Sequence, residues 1–142
     1  MSIKTIVITG GTKGIGKALV DKFSNEGYRV FTCARNQDDL VKLQQENIHT
    51  FQADLSKKEE VKAFANFVLS HQVSIDILVN NTGLFIPGAV HQEEDGVLEQ
   101  MIETNLYSAY HLTRALISQL IEAKGYIFNM CSIASITPYA NG

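Results

Sequence analysis

The chain has 142 residues, the size of one domain and long enough to bury a substantial core. Apolar residues make up 45% and charged residues 19%, an ordinary globular mix that excludes disordered and collagen-like architectures. Twelve basic against fifteen acidic residues leave a net charge of −3, which argues against a nucleic-acid or anionic-membrane surface while leaving a local basic pocket open. No apolar run approaches the roughly 18–20 residues of a membrane span. The run after Met1-Ser2 is too short for a signal peptide's apolar region, so the expected location is the cytoplasm. Cys33 and Cys131 sit far apart in no metal-ligand or redox spacing and are expected to be free thiols.

Ile3 to Thr9 is a β-rich run, followed by glycines and then Ile15, Ala18, Leu19 and Phe23 at helical spacing. Asn25-Glu26-Gly27 closes that helix, and Tyr28 to Ala34 is a second β-rich run. Leu40, Val41 and Leu43 mark a short helix before a third strand near His49 to Ala53. Ser56 and Glu59 have capping-box spacing, which predicts a helix from Ser56 to His71. Ile75 to Val79 reads as strand four, with turn chemistry in Asn80-Asn81-Thr82-Gly83. From Asp95 to Ala123 apolar residues recur every three or four positions, predicting one long helix whose start Glu93-Glu94-Asp95 caps and charges. Tyr126 to Met130 is strand five. Strands alternating with helices imply an α/β fold with a parallel sheet and ligand chemistry at the carboxyl ends of its strands.

The first of those ends is Thr9-Gly10-Gly11-Thr12-Lys13-Gly14-Ile15-Gly16. Glycines let the backbone approach a phosphate, and the helix start offers free N–H groups and the positive end of a dipole. Two frames are available. Gly11, Gly16 and Lys17 have P-loop spacing, but Ala18 follows where that motif needs a magnesium-binding hydroxyl, making a P-loop nucleotide-binding protein the weaker alternative. Gly10, Gly14 and Gly16 after Thr9 form the preferred frame.

Thr9-Gly-x-x-x-Gly14-Ile15-Gly16, Asp54-Leu55, Asn80-Asn81-Thr82-Gly83, Asn105 and Ser132 occur in the order seen in the short-chain dehydrogenase/reductase family, which the whole chain resembles. The resemblance implies a Rossmann-like doubly wound sheet of five strands in the order 3-2-1-4-5. It also implies one dinucleotide-binding domain over residues 1–142, without the family's later strands. It further implies that Gly10, Gly14 and Gly16, with Thr12, Lys13 and Ile15 between them, form the pyrophosphate turn, and that Thr9 holds the neighbouring loop by its hydroxyl. Asp54 would accept from the adenine amino group beside Leu55. Asn81, Thr82 and Gly83 would lie near the ribose, Thr82 standing where alanine is usual.

Selection of NAD normally uses an acid near the end of strand two, to bond the ribose hydroxyls. Here Cys33-Ala34-Arg35-Asn36 stands there. Arg35 supplies a planar cation for a 2′-phosphate and Lys13 reaches the same place, so the expected cofactor is NADP(H).

In the resembled family a serine polarises the substrate oxygen, an asparagine orders a relay water, and a tyrosine with a lysine four residues later moves the proton. Ser132 matches the serine, with Ser135 as a substitute, and Asn105 the asparagine. No Tyr-x-x-x-Lys occurs within the sequence, and the position four after Tyr139 lies past residue 142. The expectation is an NADP(H)-dependent oxidoreductase acting on a carbonyl/alcohol pair, present as a truncated chain that is inactive alone. A non-catalytic dinucleotide-binding or regulatory module is the alternative, and a naturally short protein competes with a fragment. Leu106, Leu112, Leu116 and Leu120 are expected to pack against a second copy of the chain. His49, His71, His91 and His111 share no ligand spacing and are expected at surfaces or turns. No metal is expected, and Leu84 to Val90 reads as either substrate-cleft lining or loop core.

Overall fold

The computed structural model describes residues 3–137. Strands β1 (Thr5–Thr9), β2 (Arg29–Ala34), β3 (Ile48–Gln52), β4 (Ile77–Asn80) and β5 (Tyr126–Asn129) form one sheet in the order β3-β2-β1-β4-β5. Every pairing is parallel. The order reverses beside β1, so the loops after β1 and β4 face each other at the strands' carboxyl ends. Both the fold class and the strand order agree with the sequence expectation.

Helices α1 (Gly14–Asn25), α2 (Gln37–Val41) and α3 (Lys58–Ser70) cross between the strands, and the long segment after β4 is α4 (Val97–Ile102), a π-helical turn (Glu103–Tyr107) and α5 (Ser108–Ala123). Two cores follow from the two faces of β1. Val7 points to one with Phe31, Phe64, Leu78, Leu112 and Leu116. Ile6 and Ile8 point to the other with Val20, Val30 and Val79, as alternation along a strand requires. Asp76, the polar break before β4, uses its carboxylate to accept from the Thr5 amide at 2.7 Å and so ties the starts of β1 and β4 together.

Four local expectations change. The α3 start is Lys58 after an uncapped Lys57. Ser56 does not cap it: Asp54 Oδ1 accepts from the Ser56 amide and hydroxyl, while Glu60 Oε2 reaches back to the Asp54 amide at 2.6 Å. Glu59 instead pairs with Lys62. The acids Glu93-Glu94-Asp95 do not cap α4, because Gly96 holds that position at φ +91° and no side chain bonds there. Leu112, Leu116 and Leu120 are buried in the core and cannot meet a second copy, whereas Leu106 is exposed. His49 and His71 join Phe31 and Phe67 in a ring cluster, the two imidazoles 4.9 Å apart. Burial beside β3, then the neighbouring His71 and Arg29, lowers the His49 pKa below its usual value. Tyr139 lies outside the described residues.

Candidate functional site

The β1 loop is built by two close approaches. Gly10 and Gly14 have φ of +69° and +54°, where a side chain is strained. A Cβ on Gly16 would fall on the Gly10 carbonyl and within 2.6 Å of Asn81 Nδ2, so only glycine lets α1 start this near β4. The ladder of α1 opens with Lys17 N–H donating to the Lys13 carbonyl at 3.2 Å. The amides of Gly14, Ile15 and Gly16 stand outside it at the helix's positive end. Ile15 itself is exposed.

Thr9 and Asn81 lock this loop to the β4 loop. The Thr9 hydroxyl accepts from the backbone amides of Asn81 and Thr82, both at 2.9 Å, and Asn81 Nδ2 donates to the carbonyls of Thr9 (2.9 Å) and Gly10 (3.3 Å). A cleft of about 370 Å³ opens above them, lined by Gly10, Thr12, Lys13, Arg35, Asn36, Asp39, Asp54, Leu55, Asn81, Thr82, Gly83, Leu84 and Thr104 among others. Most of the sequence-derived nucleotide residues therefore meet in one place.

Two of the expected residues carry structural duties there. Asp54 spends Oδ1 on the turn into α3, and Leu55 is buried. Cys33, on the cleft's floor, is fully buried, and that burial raises its thiol pKa to about 12. Its carbonyl accepts from the Gly10 amide at 3.0 Å, which joins β2 to the glycine turn.

At the β2 end, Arg35 is exposed and its carbonyl accepts from Gln52 Nε2 at 2.9 Å. Lys13 reaches the same cleft and pairs with Asp39 at 3.3 Å. Sequence reasoning missed Asp39, Asn36 and Gln52. Asn36 lies three residues before Asp39 and accepts from its amide at 3.2 Å, an N-cap spacing that was visible in the sequence. The side-chain pairing of Asp39 with Lys13 depends on the fold.

On the other side of β4, Asn105 sits in the π-helical turn. Its Oδ1 accepts from the Leu84 amide at 2.6 Å and its Nδ2 donates to the Leu84 carbonyl at 2.8 Å. The side chain thus positions the β4 loop from the edge of a cleft that it also lines. From the first residue of α5 the Ser108 hydroxyl donates back into that turn, to the Thr104 carbonyl at 2.5 Å, a bond that bends helices. A second cleft of about 660 Å³ is lined by Asn105, Leu106, Tyr110, Thr113, Asn129, Met130 and Cys131, with Asn80 at its base. Asn80 Nδ2 donates to Thr113 Oγ1 (3.0 Å) and Asn129 Oδ1 (2.8 Å). Its Oδ1 is buried and has no partner among the described residues. Ser132 follows β5, is exposed, and its Oγ accepts from the Ala134 amide at 3.1 Å. Ser135 donates its hydroxyl to the Ser132 carbonyl at 2.6 Å. In the expected substrate stretch, Leu84 lines the first cleft and Val90 is exposed.

Comparison with known proteins accords with this arrangement. The family model described as short chain dehydrogenase matches residues 4–142, and the chain belongs to that family. It is 32% identical to the NADP-dependent 3-hydroxy acid dehydrogenase YdfG of Escherichia coli, over 96% of this chain and 57% of that protein. It is 34% identical to the serine 3-dehydrogenase of Rhizobium radiobacter, over 97% of this chain and 57% of that protein. The chain thus spans a little over half the length of these curated relatives. Among solved structures, a metagenomic short-chain oxidoreductase in complex with NADP superposes with a TM-score of 0.90 at 33% identity, covering 98% of this chain and 66% of that one. No helix among the described residues is long and apolar enough to cross a membrane.

Proposed function

We propose that the chain binds NADP(H) in the cleft above the β1 and β4 loops and forms the nucleotide-binding part of an oxidoreductase acting on a carbonyl/alcohol pair. The observation that carries this reading is the convergence of Lys13 and Arg35 on one cleft beside the glycine turn. The relatives' NADP dependence supports it.

The residues fit the group. Helix-start amides at Gly14, Ile15 and Gly16 suit a pyrophosphate, Arg35 and Lys13 suit a 2′-phosphate, and Asp54 and Leu55 border space for the adenine. When bound, the nicotinamide supplies or accepts hydride. The chain's own part is to fix and orient: Thr9 and Asn81 hold the two loops in register, and Asn105 is a positioning residue that anchors Leu84 beside the cleft. Ser132 is the hydroxyl assigned to the substrate oxygen: its Oγ accepts from the Ala134 amide and its own proton is left to donate.

The same reading holds that these 142 residues alone bind nucleotide without turnover, since they contain no Tyr-x-x-x-Lys to move the proton. Self-association and a cytoplasmic location complete the proposal. With three of the four leucines buried, assembly falls to exposed residues such as Leu106, Tyr110 and Ile121.

The test is nucleotide titration combined with activity. NADPH binds more tightly than NADH, Arg35→Asp narrows the gap, and the purified 142-residue chain reduces no carbonyl compound. Equal affinities reject the cofactor assignment, turnover by homogeneous material rejects the inactivity, and a monomer in sedimentation at micromolar concentration rejects self-association.

A further inference from the structure

The acid that the sequence pattern withholds from the end of β2 is supplied from the next helix. Asp39, in the first turn of α2, lines the nucleotide cleft with Lys13 and Arg35. Its Oδ2 lies 3.3 Å from Lys13 Nζ and its Oδ1 lies 3.1 Å from Lys42 Nζ. The carboxylate is the fixed member of this trio: its side chain is 19% exposed, against 79% for Lys13 and 73% for Lys42. Asn36 holds the Asp39 backbone by accepting from its amide, which fixes where on α2 the carboxylate starts.

We propose that Asp39 is a specificity-determining residue for the nucleotide, competing with the ligand's 2′-phosphate for the Lys13 ammonium group. The inference rests on the NADP(H) reading above and deepens it.

Two effects act on the phosphate. A phosphate entering beside Lys13 and Arg35 meets a neighbouring carboxylate of like sign, and that repulsion is only partly screened at a cleft mouth. Lys13 also has to leave Asp39 to reach the phosphate, whereas the unphosphorylated ribose of NAD makes no such demand. The two lysines hold the carboxylate pKa below the usual range, so the charge is present throughout the neutral region. Asp39 therefore lowers the preference for the phosphorylated nucleotide below what Lys13 and Arg35 alone would set, and keeps NAD within reach.

Calorimetric titration of the whole chain with NADP+ and with NAD+ tests this, using the wild type, Asp39→Asn, Lys13→Ala and the double variant. Asp39→Asn keeps the side chain's size, and the Asn36 cap on its amide is untouched. The expected result is NADP+ binding about three- to fivefold tighter in Asp39→Asn, the scale of one exposed ion pair, with NAD+ binding unchanged. In the Lys13→Ala background the same substitution loses the share that comes from freeing Lys13 and keeps only the share from relieved repulsion. Unchanged or weaker NADP+ binding in Asp39→Asn overturns the proposal. So does an equal gain for NAD+, or a full gain without Lys13. A wild type that binds NADP+ no more tightly than NAD+ fails the NADP(H) reading itself, and the Asp39 proposal with it.

Discussion

Strands β1 and β5 lie two places apart in one parallel sheet, yet their surroundings differ completely. Ile6, Val7 and Ile8 of β1 have no exposed surface, while Tyr126 and Phe128 of β5 are 68% and 53% exposed. Around β1, two helical layers, the Thr9 hydroxyl and the Asn81 amide over-determine the glycine turn. Around β5, the backbone ladder to β4 is joined by one side-chain bond, from Asn80 to Asn129, and Asn80 in turn reaches Thr113 of α5. The proposed nucleotide cleft draws on the first kind of environment, where the backbone amides of the glycine turn are held by the fold itself. Ser132 and Cys131 follow the second kind, where little within these residues fixes a side chain. Preorganisation therefore differs between the two halves of the site.

That contrast breaks down most visibly if core and edge truncations cost the same. Phe64→Ala, in the core beside β1, is expected to lose about 3–5 kcal/mol, whereas Phe128→Ala on β5 stays within about 0.5 kcal/mol. Urea unfolding of both variants decides this, and equal midpoints would show that β5 is covered in solution. Next in size is Gly16→Ala, whose Cβ must displace the Gly10 carbonyl. It is expected to cost about 2 kcal/mol and to abolish measurable NADPH binding in a fluorescence titration.

Thr9→Val removes the acceptor shared by the Asn81 and Thr82 amides and is expected to cost about 1–3 kcal/mol. Its nucleotide binding weakens in parallel, because the two loops lose their common anchor. The smallest effect concerns the edge at β3. His49 has a depressed pKa when folded, so the unfolded chain takes up its proton first and stability falls as pH drops below the ordinary histidine value. The loss between pH 7.5 and 5.5 in urea unfolding should be smaller in His49→Phe than in the wild type.

The elements of the buried half were legible because their signals are local. Ile6 to Ile8 form a continuous apolar run, and the glycines mark the turn by themselves. Other features had no local signal. Apolar spacing runs through Glu103–Tyr107 unbroken, so the π-helical turn that places Asn105 against Leu84 is invisible in periodicity. Leu112, Leu116 and Leu120 show a stripe without showing what covers it, and a helix stripe reads the same against a sheet or against a second copy. Capping-box spacing from Ser56 pointed to Glu59, whereas the fold uses Glu60 for the Asp54 amide. Asp39 meets Lys13 only because β1 and β2 pair side by side, so the sequence exposed both cations of the cleft and concealed the carboxylate between them.

The central claim is that the β1 loop and the β2 end together hold a phosphorylated dinucleotide. Amide chemical-shift mapping of the labelled chain during NADPH and NADH titrations tests it most directly. The account predicts saturable shifts at Gly10 to Gly16 with both ligands, additional shifts at Lys13 and Arg35 with NADPH alone, and the lower Kd for NADPH. Shifts confined to other parts of the chain, or the same Kd for both ligands, would contradict it.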